Sequence, residues 1–155
     1  MFWTSVYISE INKLKVVFLG TECRVSVDAV FVLDISGSAY DTHLLSRDLA
    51  AGVIYGLDVR SGAARVGVVA YSSRVVGQTF LGDHVGDREA IVNALRLYRA
   101  GRGSTNTAAA LDAVRTQQLV ATRGARTAAH KARRFFNFQR YDGSIRLYIG
   151  CVLTF

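Results

Sequence analysis

The chain has 155 residues, 50% of them hydrophobic and 20% charged, so it can build the core of one domain. No apolar run approaches the roughly 20 residues that a membrane-spanning helix needs, and we predict no membrane span. The net charge of +7 suggests nucleic acid as a partner, but the excess of basic residues lies after residue 120, so we predict no nucleic-acid partner.

The first predicted elements are a strand and a helix. Residues 27–33 form an apolar, β-branched and aromatic run that is typical of a buried strand. A helix is predicted over 42–57, with Asp41 or Thr42 at its N-cap. Because glycine lowers helix propensity, we expect Gly52 to mark close packing against the sheet.

Two further strands and two further helices follow. Strands are predicted at 65–71 and 75–80, the former parallel to the first strand and the latter its antiparallel hairpin partner. A second helix begins at Gly86 or Asp87, and a third follows segment 105–107, whose three polar residues compete for its N-cap. This order of elements indicates an α/β layered sheet.

The pattern changes after residue 120, where the basic residues concentrate. Residues 121–134 are polar, and we expect them to be poorly packed. Residues 135–141 and 145–155 both resemble strands, and Asp142 and Gly143 between them are typical of a type I′ hairpin turn. We therefore predict a β-hairpin at the end of the chain.

The first strand ends in a group of oxygen-bearing side chains. Asp34, Ser36 and Ser38 would stand at its carboxyl end, where one carboxylate and two hydroxyls suit Mg²⁺, an ion that prefers oxygen ligands. The alternative is that Asp34 caps a helix and that the serines are turn residues.

Three segments together resemble a von Willebrand factor A domain, in particular those of collagens, matrilins and other matrix proteins. They are residues 34–38 (Asp-Ile-Ser-Gly-Ser), residues 65–73 and residues 103–111. Each is weak alone, but they occur in the family's order and at sensible spacing. The resemblance covers roughly residues 26–120.

This resemblance implies a Rossmann-like, three-layer α/β fold with a metal-ion-dependent adhesion site at the carboxyl ends of the strands. Asp34, Ser36 and Ser38 match the first loop of that site, and Thr105 matches the threonine of the second. The implied cofactor is Mg²⁺ or Mn²⁺, which would bind a carboxylate of the partner. The implied function is adhesion to collagen or another extracellular matrix protein, with no catalysis.

The sequence departs from the family after the second loop. The family's third loop reads Thr-Asp-Gly after a hydrophobic strand, but residues 128–134 look unsuited to a buried central strand. Asp142 could belong to a displaced third loop, although we favour the hairpin turn. We then expect an incomplete sheet, with an unpaired edge on strand 27–33 and a tendency to aggregate, unless the hairpin covers part of that edge. We predict three parts. Residues 1–25 are an N-terminal flank, residues 26–120 are a partial A domain, and residues 121–155 are a basic, non-homologous hairpin tail.

Several alternatives stay open. Cys23 and Cys151 could form a disulfide in an oxidising compartment or remain thiols. We predict no signal peptide in this chain, although an extracellular matrix location fits the resemblance. An intracellular A-domain assembly protein is the alternative to adhesion. A phosphatase-like hydrolase using Asp34 is less favoured, because Ser36 stands where such enzymes place a second carboxylate.

Overall fold

The computed structural model describes residues 26–126, 132–141 and 144–152, with side chains for the first of these ranges. The strands are Val27–Asp34 (β1), Ala64–Tyr71 (β2), Val75–Thr79 (β3), Ala132–Tyr141 (β4) and Ser144–Val152 (β5). The α-helices are His43–Tyr55 (α1), Arg88–Leu97 (α2) and Thr107–Ala113 (α3), and a π-helical turn, Val114–Gln118, follows α3. Short 3₁₀ turns lie at Gly37–Ala39 and Ala121–Arg123.

The described strands form one mixed sheet in the order β3-β2-β1-β4-β5. Strand β1 is parallel to both β2 and β4, whereas β3 pairs antiparallel with β2 and β5 pairs antiparallel with β4. The predicted strands and pairings of residues 27–80 are therefore confirmed. Helix α1 connects two parallel neighbours, as a crossover helix does in an α/β fold.

The expectation that β1 has an unpaired edge is wrong. Strand β4 pairs with β1 from Val27 opposite Ala132 to Val32 opposite Asn137. Its basic residues had argued against a central strand, but its aromatic residues have high β propensity, and non-local pairing decides the outcome.

The predicted hairpin is confirmed in its pairing. Strands β4 and β5 remain in antiparallel register up to Tyr141 opposite Ser144. The turn residues Asp142 and Gly143 lie outside the described residues. One strand of the hairpin, β4, is thus also the strand that covers the edge of β1.

Helices cover both faces of the β1–β2 region. Because side chains alternate along a strand, β1 contributes Phe31 to one core and Val32 to the other. The first core contains the inner faces of α1 and α2, and the second contains that of α3. This three-layer arrangement is the α/β fold expected from the sequence, and it places the carboxyl ends of β1 and β2 at one edge.

Side-chain caps fix two helix starts. Asp87 Oδ1 accepts a hydrogen bond from the Ala90 amide at 2.9 Å, and Asn106 Oδ1 accepts one from the Ala109 amide at 3.1 Å. Thr42 occupies the N-cap position of α1 without a side-chain cap bond. These caps satisfy amide groups that a helix leaves unpaired, so the start of α3 is well defined.

The explanation offered for Gly52 is wrong. A Cβ atom at this position in α1 would have no other atom within 4 Å, apart from its neighbours in the helix. Close packing therefore does not require glycine here.

Residues 124–126 pack against the rest of the domain, contrary to expectation, whereas the three residues before them are exposed. Ala125 is buried in the second core, and Gly124 (φ 95°) lies so close to Gly82 that a Cβ atom would overlap its backbone. Arg126 forms an ion pair with the buried Asp28. The segment before β4 is thus anchored to the sheet; residues 127–131 lie outside the described residues.

Candidate metal-ion site

The site begins where β1 ends. Asp34 is the last residue of β1 and lies opposite Tyr71, the last residue of β2. The Ser36 amide donates a hydrogen bond to Asp34 Oδ1 at 2.9 Å, which turns the chain sharply after the strand. The carboxylate and the serines that follow it are therefore held together at the edge of the sheet.

Three hydroxyl groups converge beside this carboxylate. Ser36 Oγ lies 2.9 Å from Ser38 Oγ and 2.9 Å from Thr105 Oγ1, and the latter two oxygens are 3.1 Å apart. Ser36 is fully buried, whereas Ser38 and Thr105 are exposed. The triangle of oxygens thus opens to solvent, where a ligand can reach it.

Backbone hydrogen bonds bring the loop that carries Thr105 to the end of β1. The Gly101 amide donates to Ile35 O at 2.8 Å, and the Gly37 amide donates to Gly103 O at 3.1 Å. Gly103 has a φ of 129°, a conformation that residues with a Cβ atom rarely adopt. Two distant parts of the chain are therefore joined by their main chains.

The end of β2 holds the other side of this loop. The Asn106 amide donates to Ser72 O at 2.8 Å, and Asn106 Nδ2 donates to Ser73 O at 3.4 Å. Because Asn106 also caps α3, Thr105 is freed from the capping role that the sequence left open to it. Its hydroxyl is directed instead to the two serines.

Tyr71, whose side chain lies in the second core, also contacts the second loop. Its side chain is fully buried, and its hydroxyl lies 3.1 Å from Thr107 Oγ1. Burial raises the pKa of the Tyr71 phenol above its ordinary value, the hydrogen bond with Thr107 lowers it, and the charge of Asp34 raises it. The phenol therefore remains protonated at neutral pH.

The donor set fits a hard cation. Three neutral hydroxyl oxygens lie within 3.1 Å of one another, and the Asp34 carboxylate is bonded to the amide of Ser36 in the same loop. Such oxygen donors suit Mg²⁺ or Mn²⁺. Among the described residues, no group of three His, Cys, Asp or Glu side chains could hold a metal ion. Within the described residues, the site predicted from the sequence thus comprises hydroxyls and a single charged residue, Asp34.

The structure does not describe the side chains of the remaining predicted site residues. Asp142 and Cys23 lie outside the described residues, and Cys151 belongs to β5, of which only the backbone is described. Strand β4, however, runs parallel to β1 and continues four residues beyond Asn137, the partner of Val32. The residue before Asp142 therefore lies towards the same edge of the sheet as Asp34.

An exposed aromatic and aliphatic surface follows Ser38 in the chain. Tyr40 is 65% exposed and Leu44 is 51% exposed. His43 Nδ1 lies 2.8 Å from Tyr40 O, and the two rings are 6.1 Å apart between centroids. Apolar side chains thus stand in solvent near the oxygen triangle.

The sequence profile of the von Willebrand factor type A domain matches residues 28–136, and the chain belongs to this family. The match extends to the middle of β4.

No helix in the described residues has both the length and the apolar character needed to cross a membrane.

The chain is similar in sequence to an integrin and in fold to a thread matrix protein. Integrin alpha-1 of Gallus gallus is 30% identical over 110 residues, which are 71% of this chain and 38% of that protein. A crystal form of proximal thread matrix protein 1 from the mussel byssus has a TM-score of 0.63 at 22% identity, covering 74% of this chain and 30% of that one. Another structure of that protein, with a zinc-occupied MIDAS motif, has a TM-score of 0.60 at 24% identity, covering 72% and 30%. The chain spans less than half of each relative.

Proposed function

We propose that this chain is a protein-binding module that recognises a carboxylate of its partner through a bound Mg²⁺ or Mn²⁺. Asp34, Ser36, Ser38 and Thr105 would hold the ion. The observation that carries the proposal is the convergence of Ser36, Ser38 and Thr105 from segments 69 residues apart in the chain. Its support is the donor chemistry of these oxygens and the family to which the chain belongs.

The chemistry of the residues favours binding over catalysis. Serine and threonine hydroxyls are neutral, so Asp34 alone would offset the charge of a divalent ion, and the ion would retain a strong attraction for an acidic partner. A site with one charged ligand also holds the ion loosely. A phosphatase-like reaction would need a second carboxylate two residues after Asp34 in the sequence, and Ser36 stands at that position.

The alternative to a site with one charged ligand is a displaced third loop that adds Asp142 to the ligand set. Strand β4 leads towards the edge of the sheet that carries Asp34, and Asp142 directly follows its last residue. A second carboxylate there would strengthen ion binding without disturbing the hairpin. The matched test is Asp142→Asn, which keeps the turn chemistry but removes the charge.

The proposed partner is an extracellular matrix protein, such as collagen, that presents Asp or Glu next to apolar side chains. Tyr40 and Leu44 supply exposed apolar surface near the oxygen triangle. The relatives named as an integrin and as a thread matrix protein support this class of partner and a location outside the cell. A Cys23–Cys151 disulfide would be consistent with that location.

Titration calorimetry with Mg²⁺ and Mn²⁺ tests the metal site. We expect Asp34→Ala to weaken ion binding about tenfold or more, because it removes the charged ligand. Asp48→Ala is the control, since Asp48 is exposed and pairs only loosely with Arg47 at 3.6 Å. Equal heats for wild type and Asp34→Ala would refute the assignment. Adhesion to immobilised collagen that persists in EDTA would refute metal-mediated binding.

A further inference from the structure

Tyr71 contacts both loops of the candidate site. Its carbonyl oxygen accepts a hydrogen bond from the Ile35 amide at 2.8 Å, in the loop between Asp34 and Ser36. Its hydroxyl lies 3.1 Å from Thr107 Oγ1, two residues after Thr105. One residue at the end of β2 is therefore bonded to both parts of the chain that carry the proposed ligands.

We propose that Tyr71 is a positioning residue of the metal site, whose hydroxyl sets the place of Thr105 relative to Ser36 by holding the first residue of α3. This inference rests on the proposed function. The phenol would act through Thr107 and would not touch the ion itself.

The burial of Tyr71 supports a specific role for its hydroxyl. The side chain is fully buried in the second core, among aliphatic residues such as Val69 and Ala110. A buried hydroxyl lowers stability unless it forms a hydrogen bond, and phenylalanine would fill the same space without that requirement. Thr107 Oγ1 is the partner that the phenol has in the structure.

The other hydrogen bonds of the second loop do not duplicate the restraint that the Tyr71 hydroxyl provides. The main chain of the second loop is joined to Ser72 through Asn106, which fixes the loop on the side of β2. The Tyr71 hydroxyl adds a side-chain bond on the inner side of α3, beneath the turn that carries Thr105. Without it, the first turn of α3 has one fewer connection to the sheet, and Thr105 Oγ1 can move away from the two serines.

The test is Mn²⁺ titration calorimetry on the full chain carrying Tyr71→Phe. We expect the affinity to fall about threefold to tenfold, the range that the loss of one hydrogen bond produces. Tyr98→Phe is the matched control, because its hydroxyl bonds Thr79 Oγ1 at 3.3 Å and contacts neither loop. An unchanged affinity in Tyr71→Phe, or an equal loss in Tyr98→Phe, would overturn the proposal.

Variants of Thr107 separate positioning from general destabilisation. Thr107→Val should weaken Mn²⁺ binding as much as Tyr71→Phe, and the double variant should lose no more than either single one. Thr107→Ser keeps the hydroxyl and should bind like wild type. Fully additive losses in the double variant, or a Thr107→Ser affinity as low as that of Thr107→Val, would overturn the proposal.

Hydrogen exchange in the metal-free protein tests the role of Tyr71 independently of whether the chain binds a metal ion. In metal-free protein, Tyr71→Phe should speed hydrogen exchange of the Asn106 amide several-fold relative to Tyr98→Phe, because the loop opens locally more often. A wild type that binds no Mn²⁺ would refute the proposed function, and faster exchange would still support the loop restraint. Unchanged exchange at Asn106 would overturn the restraint even if wild type binds the ion.

Discussion

A single arginine near the end of the well-packed domain joins three parts of the chain. Arg126 Nε donates to Asp28 Oδ1 at 2.7 Å, and its amide donates to Asp28 Oδ2 at 2.8 Å. The same guanidinium donates to the carbonyl oxygens of Val27, Gly62 and Ala63. Because the buried carboxylate and the guanidinium are both well satisfied, this ion pair anchors the segment before β4 to the starts of β1 and β2.

Arg126→Ala should destabilise the protein by about 3–5 kcal/mol, because it leaves the carboxylate of Asp28 buried and unpaired. The control is Arg115→Ala, which breaks an exposed pair with Asp112 and should cost less than about 1 kcal/mol. Urea unfolding of both variants measures the difference. Similar midpoints for the two would show that the Asp28 pair is no more important than a surface pair.

At the scale of single residues, the sequence reveals the proposed ligands more readily than the residues that hold them in place. Asp34, Ser36 and Ser38 occur within five residues at a strand end, and Thr105 was assigned by resemblance. The ion pair of Asp28 with Arg126 joins residues 98 apart in the chain, and no local pattern marks such a pair. The hydroxyl of Tyr71 was missed for the same reason, since its apolar neighbours identify it only as a core residue.

Among the elements, those with strong hydrophobic periodicity were predicted within two residues at each end. Strands β1 and β2 and helix α1 have apolar positions that reveal their buried faces. The place of β4 was missed because three arginines interrupt its aromatic residues, and pairing with β1 depends on contacts distant in sequence. The local hairpin signal at 142–143 was sufficient to predict the pairing of β4 with β5.

Two glycines should respond in opposite ways to substitution by alanine. Gly52→Ala should stabilise the protein by about 0.5–1 kcal/mol, because α1 has room for the methyl group and alanine favours helix. Gly124→Ala should destabilise it by about 2 kcal/mol or more, since Gly124 has a φ of 95° and its Cβ would overlap Gly82. Thermal unfolding of both variants tests this pair. A stabilising Gly124→Ala would show that residues 124–126 do not pack as described.

At the scale of the whole molecule, β1 is the central strand of the sheet, between β2 and β4. Its parallel neighbours β2 and β4 both lead towards the edge of the sheet that carries Asp34. The end of the chain, which the sequence analysis treated as a basic tail, thus supplies a structural neighbour of the strand that carries the site. The predicted aggregation of the chain rested on an unpaired β1 edge, and that reason no longer holds.

The last prediction concerns this contribution of β4. Ending the chain at Arg126 removes β4 and β5. Residues 27–32 of β1 then have no strand to pair with on that side. An apolar central strand with an open edge pairs readily with other chains, so residues 1–126 should form soluble aggregates or precipitate. The chain of residues 1–155 should instead elute as one species and unfold in a single thermal transition. Size-exclusion chromatography and calorimetry compare the two forms. If 1–126 were monomeric and unfolded at the same temperature as 1–155, β4 would not be part of the cooperative sheet.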